Sequence, residues 1–392
     1  MNVLYLTWAY PSAIAPHAAP FFRSQAEALA RLGAKVRVVA PTPWVPPLLE
    51  YLTRRWSDYR RTPSCLHSAG VRVEWPRYPV MRLAAQIGIT HRFVRSVIER
   101  AIRSSSGVVH AHGAYPLGFT SIAAARPYAR PTVLTLHGGA VNVLPLLSPR
   151  HRRQFEVAVR GATRVLAVSA ALADRTERMT GIRPTVLPIG IDASRFSTQG
   201  LPDRATLRRR LGLPVEAKLM LYVGNLIPTK GIAELCQALR ALEGQNAQCV
   251  FIGDGPLRQM VQRTPNAIYA GRVANGAVRD YMAACDVLVL PSYTEGLPTV
   301  VVEAGMTGLP VIASEVGGIP ELLAGGRGLL IPAKDVRALI EAVRFALEHG
   351  DEMTAMAARL QRHVRAEYDA RINAQRLLSI YADVMAGSTE LN

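Results

Sequence analysis

The stretch that decides the fold runs from Pro291 to Ser314 and reads PSYTEGLPTVVVEAGMTGLPVIAS. It has the grammar of a strand end, a glycine-proline turn, a helix, a glycine turn and a new strand. Pro298 suits the first helical turn, where a missing N–H costs nothing. Gly308 suits the helix stop, and the apolar run LPVIAS restarts a strand. Two carboxylates lie eight positions apart, Glu295 in the turn and Glu303 in the helix. The free N–H groups of Gly296, Leu297 and Thr299, around Pro298, would open the helix and offer a seat for an anion.

The same alternation extends in both directions. KLMLYVGNLIPTKG is a strand, a glycine turn and then Lys230, followed by the helix IAELCQALRAL. QCVFIGDGP and AIYAGRV, the latter closing on Arg272 and Val273, are two more strands, and VRDYMAACDVLVLPS is a helix leading into a fourth. At the amino end, NVLYL, a helix over FFRSQAEALARLG and KVRVV make a βαβ opening. Two βαβ domains in tandem follow, an α/β chain whose carboxyl-end loops would face each other across a cleft. DRATLRRRLGLPVEA, between the two halves, reads as a short linking helix.

The charge is lopsided. Of 46 Lys+Arg and 29 Asp+Glu, residues 1–195 hold 26 and 9, so the whole net charge of +17 lies there. Lys35 is the only lysine among them. Such an excess fits nucleic acid, an anionic membrane or an anionic ligand, and equally the bias of an arginine-rich proteome. No recognised nucleic-acid-binding module accompanies it, so no nucleic-acid role is expected. WVPPLLEYLTRRWSDYRR and RLAAQIGITHRFVRSVIERAIR read as amphipathic helices that would lie on a membrane, or as ordinary helices with a wet arginine face. The four cysteines form no CxxC pair, which suits reduced thiols in a cytosolic protein. The start MNVLYLTWAYPS reads as a strand and not a signal peptide, and no transmembrane window is expected.

Three histidines sit on strands. His110 and His112 point to one face of GVVHAHG, and without an evident third ligand they read as hydrogen-bonded structural groups. His137 ends PTVLTL before Gly138-Gly139, where open α/β sheets collect ligands. In the second half, Lys230 and the helix start would hold a diphosphate. Glu303 would accept bonds from a pair of hydroxyls such as a ribose offers, and Glu295 from a sugar hydroxyl. An apolar helix around Glu303 argues against a merely solvated face.

Taken as a set, these motifs resemble the retaining glycosyltransferases of family 4, with the GT-B fold. The matching elements are the E-x7-E pair Glu295 and Glu303, the glycine turn ending Lys230-Gly231, GDGP at 253–256, AACDVLVLPS at 283–292 and GGIPE at 317–321. TLHGG at 135–139, AVS at 167–169 and IGID at 189–192 are consistent with it, and the N-terminal PS…PHAAPFFRSQAEAL is similar to enzymes of the teichuronic-acid-biosynthesis type.

The resemblance implies an acceptor-binding domain over 1–195, a nucleotide-sugar domain over 196–370 and a last helix, 371–392, packing back on the first domain. It implies hexosyl transfer from a UDP- or GDP-sugar to a lipid-linked or oligosaccharide acceptor in cell-envelope or exopolysaccharide synthesis. No essential cofactor or metal is implied. The enzyme would be cytoplasmic, peripheral at the inner membrane face, held there by its basic first domain.

The resemblance also distributes roles. Glu303 would hold the ribose; Lys230, with the N–H groups of residues 296–299, the diphosphate; Glu295 and His137 the donor sugar; Arg272 and Val273 the base. No carboxylate stands as a clear nucleophile, so a front-face, same-side substitution is implied. Two positions depart from the pattern. Asn225 stands where an arginine is usual, and Pro16-His17-Ala18-Ala19 where Gly-Gly is common. A nucleotide-sugar 2-epimerase of the same architecture, or a non-catalytic nucleotide-sugar-binding protein, are the alternatives.

Overall fold

A computed structural model describes residues 1–47, 51, 53–79 and 83–389. The chain divides into two units, Met1–Gly190 with Ala370–Asn392, and Ile191–Asp369.

The first unit starts with β1 (Asn2–Leu6), α1 (Pro20–Arg31) and β2 (Lys35–Val39). An excursion follows through β3 (Thr42–Trp44), α2 (Arg54–Arg61), β4 (Cys65–Ser68), β5 (Val71–Glu74) and β6 (Arg77–Pro79). Next come α3 (Thr90–Arg103), β7 (Val108–His112), α4 (Phe119–Ala125), β8 (Thr132–Leu136) and α5 (Gly138–Asn142). The unit's first segment closes with α6 (Pro149–Gly161), β9 (Arg164–Ala167), α7 (Ala170–Thr180) and β10 (Thr185–Val186). Eight strands form one sheet in the order β10-β9-β8-β7-β1-β2-β5-β4, parallel except for β4 against β5. The order reverses between β1 and β7, so the loops after these strands open a crevice at their carboxyl ends.

The second unit contains α8 (Arg204–Leu211), β11 (Lys218–Val223), α9 (Ile232–Ala241), β12 (Ala247–Ile252), α10 (Arg258–Gln262) and β13 (Ala267–Gly271). It continues with α11 (Asn275–Ala284), β14 (Val287–Leu290), α12 (Thr299–Thr307) and β15 (Val311–Ser314). It ends with α13 (Ile319–Leu323), β16 (Leu329–Ile331), α14 (Val336–Glu348) and α15 (Gly350–Glu367). Its six parallel strands run β13-β12-β11-β14-β15-β16. The chain winds outward from β11 in one direction and from β14 in the other. The switch point therefore lies between β11 and β14, whose following loops carry Lys230 and Glu295.

The last helix, α16 (Ala370–Thr389), belongs to the first unit. It packs on α1, burying Ala374, Leu377, Tyr381 and Val384 in that unit's core. Full burial of a side chain such as Leu377 or Val384 contributes about 1.5–3 kcal/mol.

Four expectations change. First, α8 is no linker. Its Arg208 is buried and donates to the carbonyls of Ala284, Val215 and Ala217 and to the Asp286 carboxylate. Second, α3 spends its apolar face internally: Val94, Ile98, Ala101 and Ile102 are buried, largely against α4. The arginines face water, so α3 is an ordinary surface helix. Third, Trp44 ends a strand, and among the described residues the first basic stretch is α-helical over Arg54–Arg61, while residues 48–50 and 52, like 82 of the second stretch, lie outside the described residues. Fourth, Pro298 is the N-cap of α12 and Thr299 its first helical residue. The turn before α1 is kept without glycine: Ala19 adopts φ +49°, at a cost of roughly 1–2 kcal/mol.

Among the described residues no helix is long and apolar enough to cross a membrane.

Candidate active site

The second unit's site is assembled by close backbone approaches. Gly231 follows Lys230 at φ +69°, and a Cβ there would stand 2.0 Å from the Pro291 carbonyl oxygen. Gly317, at φ +56°, would put a Cβ 2.1 Å from the Glu295 carbonyl oxygen. Only glycine allows these loops to nest. The Gly318 N–H then donates to the Gly296 carbonyl at 2.8 Å, and the Tyr293 N–H to the Thr229 carbonyl at 2.9 Å. Three carboxyl-end loops thus become one surface.

On that surface Lys230 Nζ lies 2.5 Å from Glu295 Oε1. The Glu295 side chain is nearly buried, and that of Lys230 is one-quarter exposed. An ion pair in this setting is stronger than one in open water. Beside it, α12 starts without any side-chain cap. The Val301 N–H turns back to the Pro298 carbonyl at 3.1 Å, which leaves the N–H groups of Thr299 and Val300 outside the helical ladder. Gly296 and Leu297 form the loop leading in. One turn along, burial pushes the Glu303 carboxyl up to about 7, against the opposing hydrogen bond from the Thr299 hydroxyl. A carboxyl raised this far holds its proton more readily than a free glutamate and accepts hydroxyl donors once it loses that proton.

Asn225 is exposed in the loop after β11, and its carbonyl accepts from the Tyr222 hydroxyl at 2.9 Å. Arg272, after β13, is exposed and 3.8 Å from Asp254 in the GDGP turn. Val273 beside it packs on the core.

Other groups join this site that the sequence did not single out. The Tyr293 hydroxyl donates to Glu234, in the first turn of α9. Lys334 Nζ sits 4.9 Å above the Tyr293 ring, from a turn at φ +66°. Tyr293 lies inside the quoted stretch, but Glu234 and Lys334 carry no spacing signal that would tie them to it.

In the first unit the histidines form a chain. The Tyr381 hydroxyl and His110 Nδ1 are 2.5 Å apart, and His110 Nε2 meets the Thr135 hydroxyl at 2.7 Å. His110 is therefore a satisfied structural histidine, as expected. His112 Nδ1 is 3.1 Å from His137 Nε2, while His112 Nε2 is buried without a partner among the described residues. An orphaned buried N–H is rarer than an orphaned acceptor. A proton on His112 Nδ1 would then donate to His137 Nε2 and leave the His137 proton on Nδ1. Burial lowers His110 to about 3 and His137 to about 4, and burial with both neighbours holds His112 well below the usual range. All three are neutral at pH 7. Among the described residues no cluster of histidine, cysteine or acidic side chains could hold a metal ion.

Comparison with known proteins gives these features a family. Residues 203–363 match the family described as Glycosyl transferases group 1, and residues 19–195 the one described as Glycosyltransferase Family 4. The chain is 35% identical, over 98% of its length and 99% of the relative's, to TuaC of Bacillus subtilis, named as a teichuronic acid biosynthesis glycosyltransferase. It is 26% identical, over 79% of this chain and 83% of the other, to a GDP-mannose-dependent monoacylated alpha-(1-6)-phosphatidylinositol monomannoside mannosyltransferase of Corynebacterium glutamicum.

Among solved structures, HepE of Anabaena in complex with UDP superposes with a TM-score of 0.74 at 20% identity, over 98% of this chain and all of the other. Sucrose-phosphate synthase of Thermosynechococcus elongatus gives 0.77 at 20% identity, over 98% and 99%. These likenesses show the GT-B fold. With a full-length relative and family matches in both units, the chain belongs to glycosyltransferase family 4.

Proposed function

We propose that this glycosyltransferase moves a hexose-type sugar from a UDP- or GDP-sugar to a lipid-linked or oligosaccharide acceptor, with retention at the anomeric carbon. The observation that carries the reading is the Lys230–Glu295 pair, 2.5 Å apart at the sheet's switch point and beside the uncapped start of α12.

In this reading the donor diphosphate displaces part of that pair. Lys230 turns to the phosphates together with the backbone N–H groups from Gly296 to Thr299, with Leu297 and Pro298 shaping the loop. Glu295, released from Lys230, accepts a hydroxyl of the donor sugar. Glu303 accepts the ribose hydroxyls. Arg272 and Val273 flank the base, and exposed Asn225 donates a hydrogen bond near the phosphates.

As the sugar–phosphate bond breaks, negative charge grows on the departing diphosphate, and Lys230 and the helix-start dipole are already aimed at it. Losing one such preorganised contact costs about 10²–10³ in rate. His137, neutral, serves the donor sugar as a hydrogen-bonding group and not as a cation. The basic first unit holds the enzyme at the cytoplasmic face of the membrane, where a lipid-linked acceptor is found.

The test is release of nucleoside diphosphate and of glycosylated product by the purified protein, alongside Lys230→Ala and Glu295→Ala. Loss of product formation in both variants, with the fold intact, supports the reading. Conversion of UDP-GlcNAc alone into UDP-ManNAc would sink it in favour of an epimerase.

A further inference from the structure

We infer that the first unit docks on anionic lipid through two adjoining loops, residues 83–88 and 143–147, with apolar side chains that enter the bilayer surface and arginines that meet the headgroups. This rests on the membrane-facing reading above and names the surface that performs it.

The arginine-rich helices are not the part that reaches outward with apolar groups, because α3 buries its apolar face. The side chains that do reach outward lie on the loops. Leu83, Ile87, Val143, Leu146 and Leu147 are each between 49% and 64% exposed. Large apolar side chains exposed singly are ordinary, but five on adjoining loops are a patch that calls for a partner.

The two loops are physically one surface. His151, fully buried at the start of α6, joins them: its Nδ1 meets the Ser148 hydroxyl at 2.8 Å and its Nε2 the Ala85 carbonyl at 2.9 Å. Gln154 Nε2 donates to the Gly88 carbonyl at 2.8 Å. Gly88 adopts φ +68°, and a Cβ there would meet Gln154, Arg150 and His151 at 3.1–3.3 Å. The loops are thus fixed to the scaffold and do not fold back over their own apolar side chains.

Charge selects the partner. Arg92, Arg150 and Arg153 are exposed and have no carboxylate partner among the described residues, whereas Arg95 and Arg152 are paired along their helices with Glu99 and Glu156. Burial and the neighbouring Arg150, Arg92 and Arg95 together hold His91 below its usual value, which places these guanidiniums about one spot. Exposed leucines beside uncompensated arginines match an interface of acyl chains under anionic headgroups. The surface also has a purpose in its position. The loop 143–147 follows β8 and α5 directly, so it lies one short helix beyond His137.

The experiment is co-sedimentation of the full chain with vesicles of equimolar phosphatidylglycerol and phosphatidylcholine, and with phosphatidylcholine alone. Two double variants are compared, L146S with L147S and R150Q with R153Q. Wild type should pellet with the anionic vesicles at low salt and come off as salt rises.

Removing two arginines should weaken partition on the order of 30-fold. Removing two leucines should weaken it by about tenfold or more and leave a weaker, salt-sensitive remainder. Unchanged melting temperatures show that both variants fold, as expected for exposed positions. A nucleotide-induced thermal shift on the same samples reports the donor reading separately.

Equal pelleting of wild type and both variants would place the contact elsewhere and overturn the inference. So would an absence of pelleting at low salt, or a wild-type dimer dissolved by L146S with L147S that shows no vesicle binding.

Discussion

Lys230 Nζ and Glu295 Oε1 stand 2.5 Å apart, across 65 positions of sequence, at the one place where the second sheet reverses its order. Each is the other's partner before any donor arrives, so binding must exchange one charge-assisted contact for another. Lys230→Ala should lower kcat about 10²–10³-fold. Glu295→Gln keeps a hydrogen-bonding group but frees Lys230, so it should tighten nucleoside-diphosphate binding while lowering kcat. Titration calorimetry with the diphosphate, beside steady-state kinetics, separates the two effects. A Glu295→Gln variant that loses diphosphate affinity contradicts the exchange.

Glu303 sets a pH dependence. Its carboxyl is raised to about 7 in the folded protein, whereas an unperturbed glutamate titrates near 4.3. Between these values the folded state binds more protons than the unfolded one. Its contribution to stability is therefore present at low pH and is lost as pH rises through 7. In the proposed reading ribose hydroxyls donate to the ionised form, so nucleotide affinity should rise between about pH 6 and pH 8. Glu303→Gln should abolish that rise and melt above wild type at pH 8, with the gap closing toward pH 5. Parallel slopes for variant and wild type would remove Glu303 from the site.

Much of this was legible in the sequence, and the reasons are physical. Short apolar runs punctuated by glycine and proline announce parallel strands, and charges in apolar context announce a site. Glu303 was marked by its apolar helix, and Lys230 and Glu295 by the turns that carry them; the structure places all three at or beside the switch point. What was hidden depends on partners far along the chain. Arg208 sits in a run of arginines that looks solvated, yet its carboxylate partner is Asp286. His110 is completed by Tyr381, 271 positions away. Glu234 and Lys334 reach Tyr293 from separate turns. The helix α3 misleads because an arginine-rich amphipathic pattern is the same whether its apolar face meets a core or a lipid.

Arg208 gives a stability prediction. It is 5% exposed and shares Asp286 with Arg204. Removing one partner of a buried pair costs about 3–5 kcal/mol. Arg208→Ala should show that loss in chemical denaturation, whereas Arg204→Ala, at an exposed side chain, should cost about 1 kcal/mol or less. Equal losses would mean that α8 is held by surface charge alone.

Asn225 gives a gain-of-function prediction. Its side chain is exposed at the carboxyl end of β11. A hydrogen bond to a charged group contributes about 1.5–3 kcal/mol, so Asn225→Arg should tighten nucleoside-diphosphate binding by roughly 10- to 100-fold. Unchanged affinity would mean that the loop does not face the phosphates.

In the proposed function His112 acts through His137, which it contacts at 3.1 Å. Replacing it with phenylalanine keeps an aromatic ring beside Tyr5 and Phe22 but removes the bond to His137 Nε2. We expect kcat to fall by about tenfold or more, with KM for the donor little changed. Histidines kept neutral by burial, His112 among them, make stability fall as pH drops below about 6.5 toward their lowered folded values. His112→Phe should soften that acid destabilisation, which a merely local packing defect would not do.

The central claim is that the loops after β11 and β14 hold a nucleotide-sugar. Its most direct measurement is the thermal shift of wild type, Lys230→Ala and Glu303→Gln with UDP-, GDP- and ADP-sugars. One nucleotide at about 100 times its Kd should stabilise the wild type by about 2.7 kcal/mol, visible as a shift of several degrees. That shift should shrink in both variants. No shift with any nucleotide-sugar, or an equal shift in wild type and Lys230→Ala, would contradict the account.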